Sequence, residues 1–252
     1  MSVRSLYVLH CGSMLADKGS VLTYRVDVGK KVEIPVCAYL IKTEEGNILF
    51  DTGVDHDDFA CLTSMGKELK VREEDSLLTR LREFEVSPED INFVFQSHLH
   101  WDHSGLLKYF PKANIIIQRQ EYDFAINLPP FAENFYRCPY YNSPNLNWQI
   151  IDGDESLMPG ITAIFTPGHT PGHQSLMVDL PESGTLILSG DCAYTSENLE
   201  REIIPGNFVN PFQALHSLKR LKTLARITNG QILFSHSMEP LGTIKKSPEF
   251  YR

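Results

Sequence analysis

His98, His100, Asp102 and His103 fall within six residues, in the run Ser97-His98-Leu99-His100-Trp101-Asp102-His103. Imidazole nitrogens and carboxylate oxygens are the donors that borderline divalent metals accept. More donors of the same type lie downstream: His169 in Thr166-Pro167-Gly168-His169, Asp191 in Ser189-Gly190-Asp191, and His236 in Phe234-Ser235-His236. Each follows directly on an apolar, strand-like run, and strand ends are where layered sheets usually carry their chemistry. Seven such side chains suffice for two metals with open positions between them, so the chemistry expected is that of a two-metal hydrolase.

The elements that must position these groups are legible in part. Residues 6–9, 36–41 and 47–50 read as strands, the last closed by the turn Asp51-Thr52-Gly53. Residues 73–84 have apolar side chains at helical spacing (Leu77, Leu78, Leu81, Phe84), with acids at the end where a helix favours them. The spacing predicts strands over 91–96 and 114–118, and a short helix over 119–126. Residues 127–147 carry prolines, asparagines and the aromatics Phe131, Phe135, Tyr136, Tyr140 and Tyr141, which form either a pocket wall, lid or dimer surface or the plain packing of a long loop. Strands are expected over 161–165, 175–180, 185–188 and 231–234. Between the last two, Asn210-Pro211 looks like an N-cap followed by proline at the first helical position, with Gly230 closing that helix.

No repeat, low-complexity segment or linker divides the chain, and the candidate ligands run from 98 to 236. One α/β domain over residues 1–252 is therefore expected. A hydrophobic share of 42% and a charged share of 22% suit an ordinary soluble globular chain. The net charge of −9, with no basic run, argues against a nucleic-acid partner. Nothing approaches the roughly 18 apolar residues of a membrane span. Residues 1–10 lack the basic segment and cleavage site of an export signal. Cys11, Cys37, Cys61, Cys138 and Cys192 are odd in number and show no C-x-x-C spacing, which fits a reducing cytoplasm.

The order His98-x-His100-x-Asp102-His103, then His169, Asp191 and His236, resembles the metallo-β-lactamase superfamily along the whole chain. That resemblance implies an αββα sandwich with a dinuclear metal centre, usually zinc, at one edge. A closer likeness is to the N-acyl homoserine lactonases, which open quorum-sensing signals. It is carried by residues 166–175 (TPGHTPGHQS), 191–195 (DCAYT), 35–40 (PVCAYL) and 51–53 (DTG). By that likeness His98, His100 and His169 hold one metal, and Asp102, His103 and His236 hold the other. Asp191 bridges the two ions, and Tyr194 contacts the substrate carbonyl. Trp101 stands where that group carries phenylalanine.

The reaction so implied is opening of the lactone ring of an N-acyl homoserine lactone by a hydroxide held between the metals. Tyr194 would stabilise the oxyanion, and Asp102 would pass a proton to the leaving alkoxide. Partners follow: a small-molecule lactone, no nucleic acid, no membrane, and an oligomeric state that includes a homodimer as an option. Three rivals stand beside this reading. One is hydrolysis of another lactone or, as in glyoxalase II, of a glutathione thioester; another is a non-catalytic metal- or lactone-binding module; a nuclease is the third.

Other residues have plainer expectations. His173 is read as a support residue, and His10, His56 and His216 as ordinary surface or core side chains. Asp51 either orients a ligand imidazole or caps its own turn. Cys192 is expected to face away from Asp191. Trp101 serves as pocket wall or as packing, and Met14, Leu15, Leu62 and Met65 are candidates for an acyl-chain groove.

Overall fold

The computed structural model describes residues 3–237, 245 and 249–252. One sheet contains β1 (Val3–Asp17), β2 (Lys31–Thr43), β3 (Asn47–Phe50), β4 (Glu68–Lys70), β5 (Ile91–Phe95), β6 (Asn114–Gln118) and β7 (Asn147–Ile151), in the order β4-β1-β2-β3-β5-β6-β7. The other contains β8 (Glu155–Met158), β9 (Ile161–Phe165), β10 (Gln174–Leu180), β11 (Gly184–Leu188) and β12 (Gln231–Leu233), in the order β12-β11-β10-β9-β8. The helices are α1 (Phe59–Ser64), α2 (Leu77–Arg82), α3 (Trp101–Ser104), α4 (Arg119–Ile126), α5 (Cys138–Tyr141), α6 (Ser196–Arg201) and α7 (Pro211–Thr228).

Strand alternation decides which side chains meet. Ile48 and Phe50 of β3, Ile116 of β6, Leu176 and Val178 of β10, and Leu186 and Leu188 of β11 share one core between the sheets. Their neighbours Leu49, Ile115 and Ile117 face outward and pack with Leu77 and Leu81 of α2 and Ala125 of α4. On the other side, Ile187 and Met177 pack outward against Leu221, Leu224 and Ala225 of α7. A period of two puts opposite faces on successive residues, so each sheet is apolar on both sides and needs a helical layer. The result is the αββα sandwich.

Several boundaries differ from the sequence expectations. The helix expected over 73–84 begins only at Leu77, because Ser76 is extended at φ −59, ψ 138. Ahead of it, the Asp75 carboxylate accepts from Arg72 and Arg80 and closes a separate 3-10 turn over Glu73–Asp75. Asn210 caps α7 as expected, accepting from the amides of Phe212 and Gln213. Its last turn is closed by Asn229 at φ +51 rather than by Gly230. β1 runs eight residues beyond its expected end at 9, with a register shift between His10 and Ser13. The aromatic stretch over 127–147 is mostly packing: Tyr136, Tyr140 and Tyr141 are buried, and α5 forms within it.

The topology gathers the candidate ligands at one edge. β3, β5 and β6 are parallel, and the loops leaving β3 and β5 carry Asp51 and the 97–103 run. The loops leaving β9, β11 and β12 bring His169, Asp191 and His236 to the same edge. Backbones touch closely there. The His103 carbonyl accepts from Thr52 at 2.7 Å, and the Gly105 amide donates to Gly53 at 2.9 Å. A Cβ on Gly105 would lie 2.4 Å from the Asp55 nitrogen and 2.7 Å from the Gly53 oxygen. Gly105→Ala is therefore expected to push the 97–103 run off the 51–55 turn and to cost about 1–3 kcal/mol in urea unfolding. An unchanged midpoint would show that the two loops are not held by this contact.

Candidate metal centre

Asp51 starts the site. It leaves β3 at φ +62, a left-handed conformation that a branch-free acid tolerates, and this aims its buried carboxylate at the loop after β5. There it accepts from the Ser97 amide (2.7 Å), the Ser97 hydroxyl (2.8 Å), the Gln96 side-chain amide (3.1 Å) and His103 Nδ1 (2.8 Å). Ser97 Oγ lies 2.9 Å from His98 Nδ1. One carboxylate thus orients two imidazoles, and of the two expectations for Asp51 the structure realises the first.

Four donor atoms then converge. His169 Nε2 lies 3.2 Å from His98 Nε2, 3.1 Å from His100 Nδ1 and 3.2 Å from Asp191 Oδ2. The outer ring nitrogens of His169 and His98 are spoken for. His169 Nδ1 donates to the Asn207 carbonyl (2.8 Å), and His98 Nδ1 meets a hydroxyl whose own proton goes to Asp51. With the protons on those outer nitrogens, the inner Nε2 atoms present lone pairs to one another and to a carboxylate. Burial pushes His98 and His100 well below the usual imidazole range and lowers His169, so all three stay neutral. Bare lone pairs at such separations repel unless a cation lies between them, and neutral imidazole is the form that ligates.

A second set adjoins the first. His103 Nε2 lies 3.1 Å and His236 Nε2 lies 3.3 Å from Asp191 Oδ1, and both are 3.7 Å from Asp102 Oδ2. Their outer nitrogens are again occupied, His103 by Asp51 and His236 by the Pro35 carbonyl at 2.8 Å. His103 Nε2 is buried without a well-aligned hydrogen-bond partner. Burial opposes charge on His103 and His236. The surrounding carboxylates, Asp191 foremost, outweigh it and raise His103 well above the ordinary range and His236 above it. The donor set fits two divalent ions, with one oxygen of Asp191 turned to each group.

All seven sequence-predicted ligands are therefore brought together, and Tyr194 lies beside both sets. Its ring centroid is 4.9 Å from that of His236 and 6.0 Å from that of His169. Burial, then the charges of Asp191 and Asp102, holds its hydroxyl proton far above the usual phenol range. His173 accepts the Asp191 amide at Nε2 (2.8 Å) and is paired with Thr166 at Nδ1. Burial lowers it to about 3, so it remains a neutral acceptor. Cys192 packs with Ile164, Ile187 and Leu221, away from the ligands.

A cavity of about 440 Å³ opens over these groups, with Met14, Leu15, Trp101 and Phe135 among its walls. Trp101 is both wall and core, at 4% exposure. Leu62 is buried in the helical-side core, and neither it nor Met65 lines the cavity. Sequence reasoning missed Lys67, whose ammonium lies 5.5 Å from the Trp101 ring centre and 4.9 Å from that of Phe135. It also missed Glu121, buried behind the first donor set.

The chain belongs to the metallo-beta-lactamase superfamily, whose sequence pattern matches residues 33–236. Along 99% of its length it is 36% identical to an N-acyl homoserine lactonase of Bacillus thuringiensis, covering all of that protein. It is 38% identical to one of Bacillus cereus at the same coverage. A crystal structure of a quorum-quenching N-acyl homoserine lactone hydrolase superposes with a TM-score of 0.88 at 36% identity, covering 100% of this chain and 99% of that one. A further structure of an N-acyl homoserine lactone hydrolase, with the product N-hexanoyl-L-homoserine bound at the catalytic metal centre, gives 0.89 at 35% identity with both chains fully covered.

The two donor sets should respond differently to acid. The carboxylates around His103 and His236 favour a proton on those imidazoles, whereas burial disfavours one on His98, His100 and His169. As pH falls from 8 to 5.5, one of two zinc affinities in a chelator competition should drop steeply while the other changes less. Equal pH slopes would contradict this division.

Proposed function

We propose that the chain is a metal-dependent hydrolase that opens the ring of N-acyl homoserine lactones, acting as one hydrolase domain. The observation that carries the reading is the pair of donor sets sharing Asp191 on the floor of a cavity into which Tyr194 reaches. His98, His100 and His169 would hold one divalent ion, and Asp102, His103 and His236 the other. Imidazole-rich, carboxylate-bridged donors suit zinc, the ion we assign. When bound, the ions supply Lewis acidity and a water of lowered pKa.

The chain's own groups do the rest. Tyr194 keeps its proton at neutral pH and so can donate to the lactone carbonyl oxygen as that oxygen gains charge. Asp102 lines the cavity and is the group suited to carry a proton to the ring oxygen as the ester C–O bond breaks. Water adds its oxygen to the carbonyl carbon, the ring oxygen takes up a proton as its bond to that carbon breaks, and the single product is a hydroxy acid whose new carboxyl releases its proton at neutral pH. Met14, Leu15, Trp101 and Phe135 give an acyl chain an apolar surface.

A glutathione thioester is the poorer fit. It brings two carboxylates, and Lys67 is the sole lysine or arginine of the described residues lining the cavity. Among the described residues no helix is long and apolar enough to cross a membrane, and we place the activity in the cytoplasm.

Proton release on adding N-acyl homoserine lactones should be absent from metal-stripped protein and return on reloading with zinc. Bound metal and lactone without turnover would instead favour a sensing module. Tyr194→Phe should lower kcat about 10²–10³-fold, or about 2.7–4 kcal/mol, with metal content intact. Full activity in that variant would remove Tyr194 from the reaction.

A further inference from the structure

Glu121 lies in the first turn of α4 and is fully buried, yet among the described residues no lysine or arginine pairs with it. Its carboxylate is satisfied by four donors. Oε1 accepts from the Leu99 amide (3.0 Å) and the Tyr136 hydroxyl (2.8 Å). Oε2 accepts from the Thr170 hydroxyl (2.6 Å) and the Gly172 amide (3.2 Å). Burial pushes its pKa up, and the four donors pull against that by favouring the ionised form.

The identity of those donors gives the contact its meaning. Leu99 lies between His98 and His100, and Thr170 follows His169. Tyr136 stacks edge-on against the His100 ring with centroids 4.8 Å apart. The backbone of residue 172 lies so close that a Cβ there would sit 2.0 Å from the Glu121 nitrogen. The three imidazoles of the first donor set come from loops about seventy residues apart in sequence, and both loops end on this one carboxylate. Among the described residues Glu121 makes no hydrogen bond to Asp102, His103 or His236; His103 is held by Asp51 and His236 by the Pro35 carbonyl.

We propose that Glu121 is a positioning residue for one metal only, the ion held by His98, His100 and His169, locking the two loops that supply them. The inference rests on the two-metal reading. Glutamine has the same shape but must turn its NH2 group toward one pair of donors. Each pair contains a backbone N–H that cannot turn away, so either orientation sets donor against donor.

The test loads metal-stripped wild-type protein and Glu121→Gln with zinc under chelator competition. Wild type should take up two ions. The variant should hold one as wild type does and the other about 10–100-fold more weakly. With one zinc bound, nitrogen NMR of the variant should show shifted imidazoles for His103 and His236 and metal-free signals for His98 and His169. A purely structural role would weaken both ions alike or neither, and either result overturns the inference. Loss of the ion at His103 and His236 would overturn it too. Wild type that binds fewer than two ions would instead overturn the two-metal reading. If Glu121→Gln does not fold, Thr170→Val, which removes one donor, decides by the same measurement: selective weakening supports the inference, and unchanged or equal affinities reject it.

Discussion

Five imidazoles and two carboxylates, each with little exposed surface, are brought together beneath one cavity, and the loops around them hold them there. Neutral nitrogens 3.1–3.2 Å apart with their lone pairs inward would separate if left alone. Outer ring nitrogens are pinned in both sets: His98 by the Ser97 hydroxyl and His169 by the Asn207 carbonyl in one, His103 by Asp51 and His236 by the Pro35 carbonyl in the other. Each such bond fixes a tautomer and a ring direction at once. A cation between the donors would relieve the repulsion.

The fold makes this affordable by drawing on rigid parts. The ligands come from loops leaving β5, β9, β11 and β12, strands whose side chains fill cores on both faces of their sheets. Two buried acids then bind loop to loop: Asp51 joins the β3 exit to the 97–103 run, and Glu121 joins that run to residues 169–172. Asp191 stands between the two donor groups, with its amide fixed by His173 and its Oδ1 accepting from Ser235 at 3.0 Å.

How much of this was legible in the sequence depended on distance along the chain. The 98–103 run was legible because its spacing is itself the chemistry, and the strand exits marked His169, Asp191 and His236. Asp51 was only half legible: a turn acid before glycine looks the same whether it caps itself or reaches a histidine 52 residues away. Glu121 was hidden because an acid in the first turn of a short helix reads as a solvated group favouring the helix dipole. Only the tertiary fold brings Leu99, Tyr136, Thr170 and Gly172 to it. The helix at 77 begins late for a related reason, since the side chain of Asp75 is drawn to Arg72 and Arg80.

Anomalous diffraction at the zinc edge from metal-loaded crystals tests the central claim most directly. Two peaks about 3.5–4 Å apart are expected, one on each side of the Asp191 carboxylate. One should be ringed by His98, His100 and His169, and the other by Asp102, His103 and His236. A single peak, or two peaks that do not share Asp191, would contradict it.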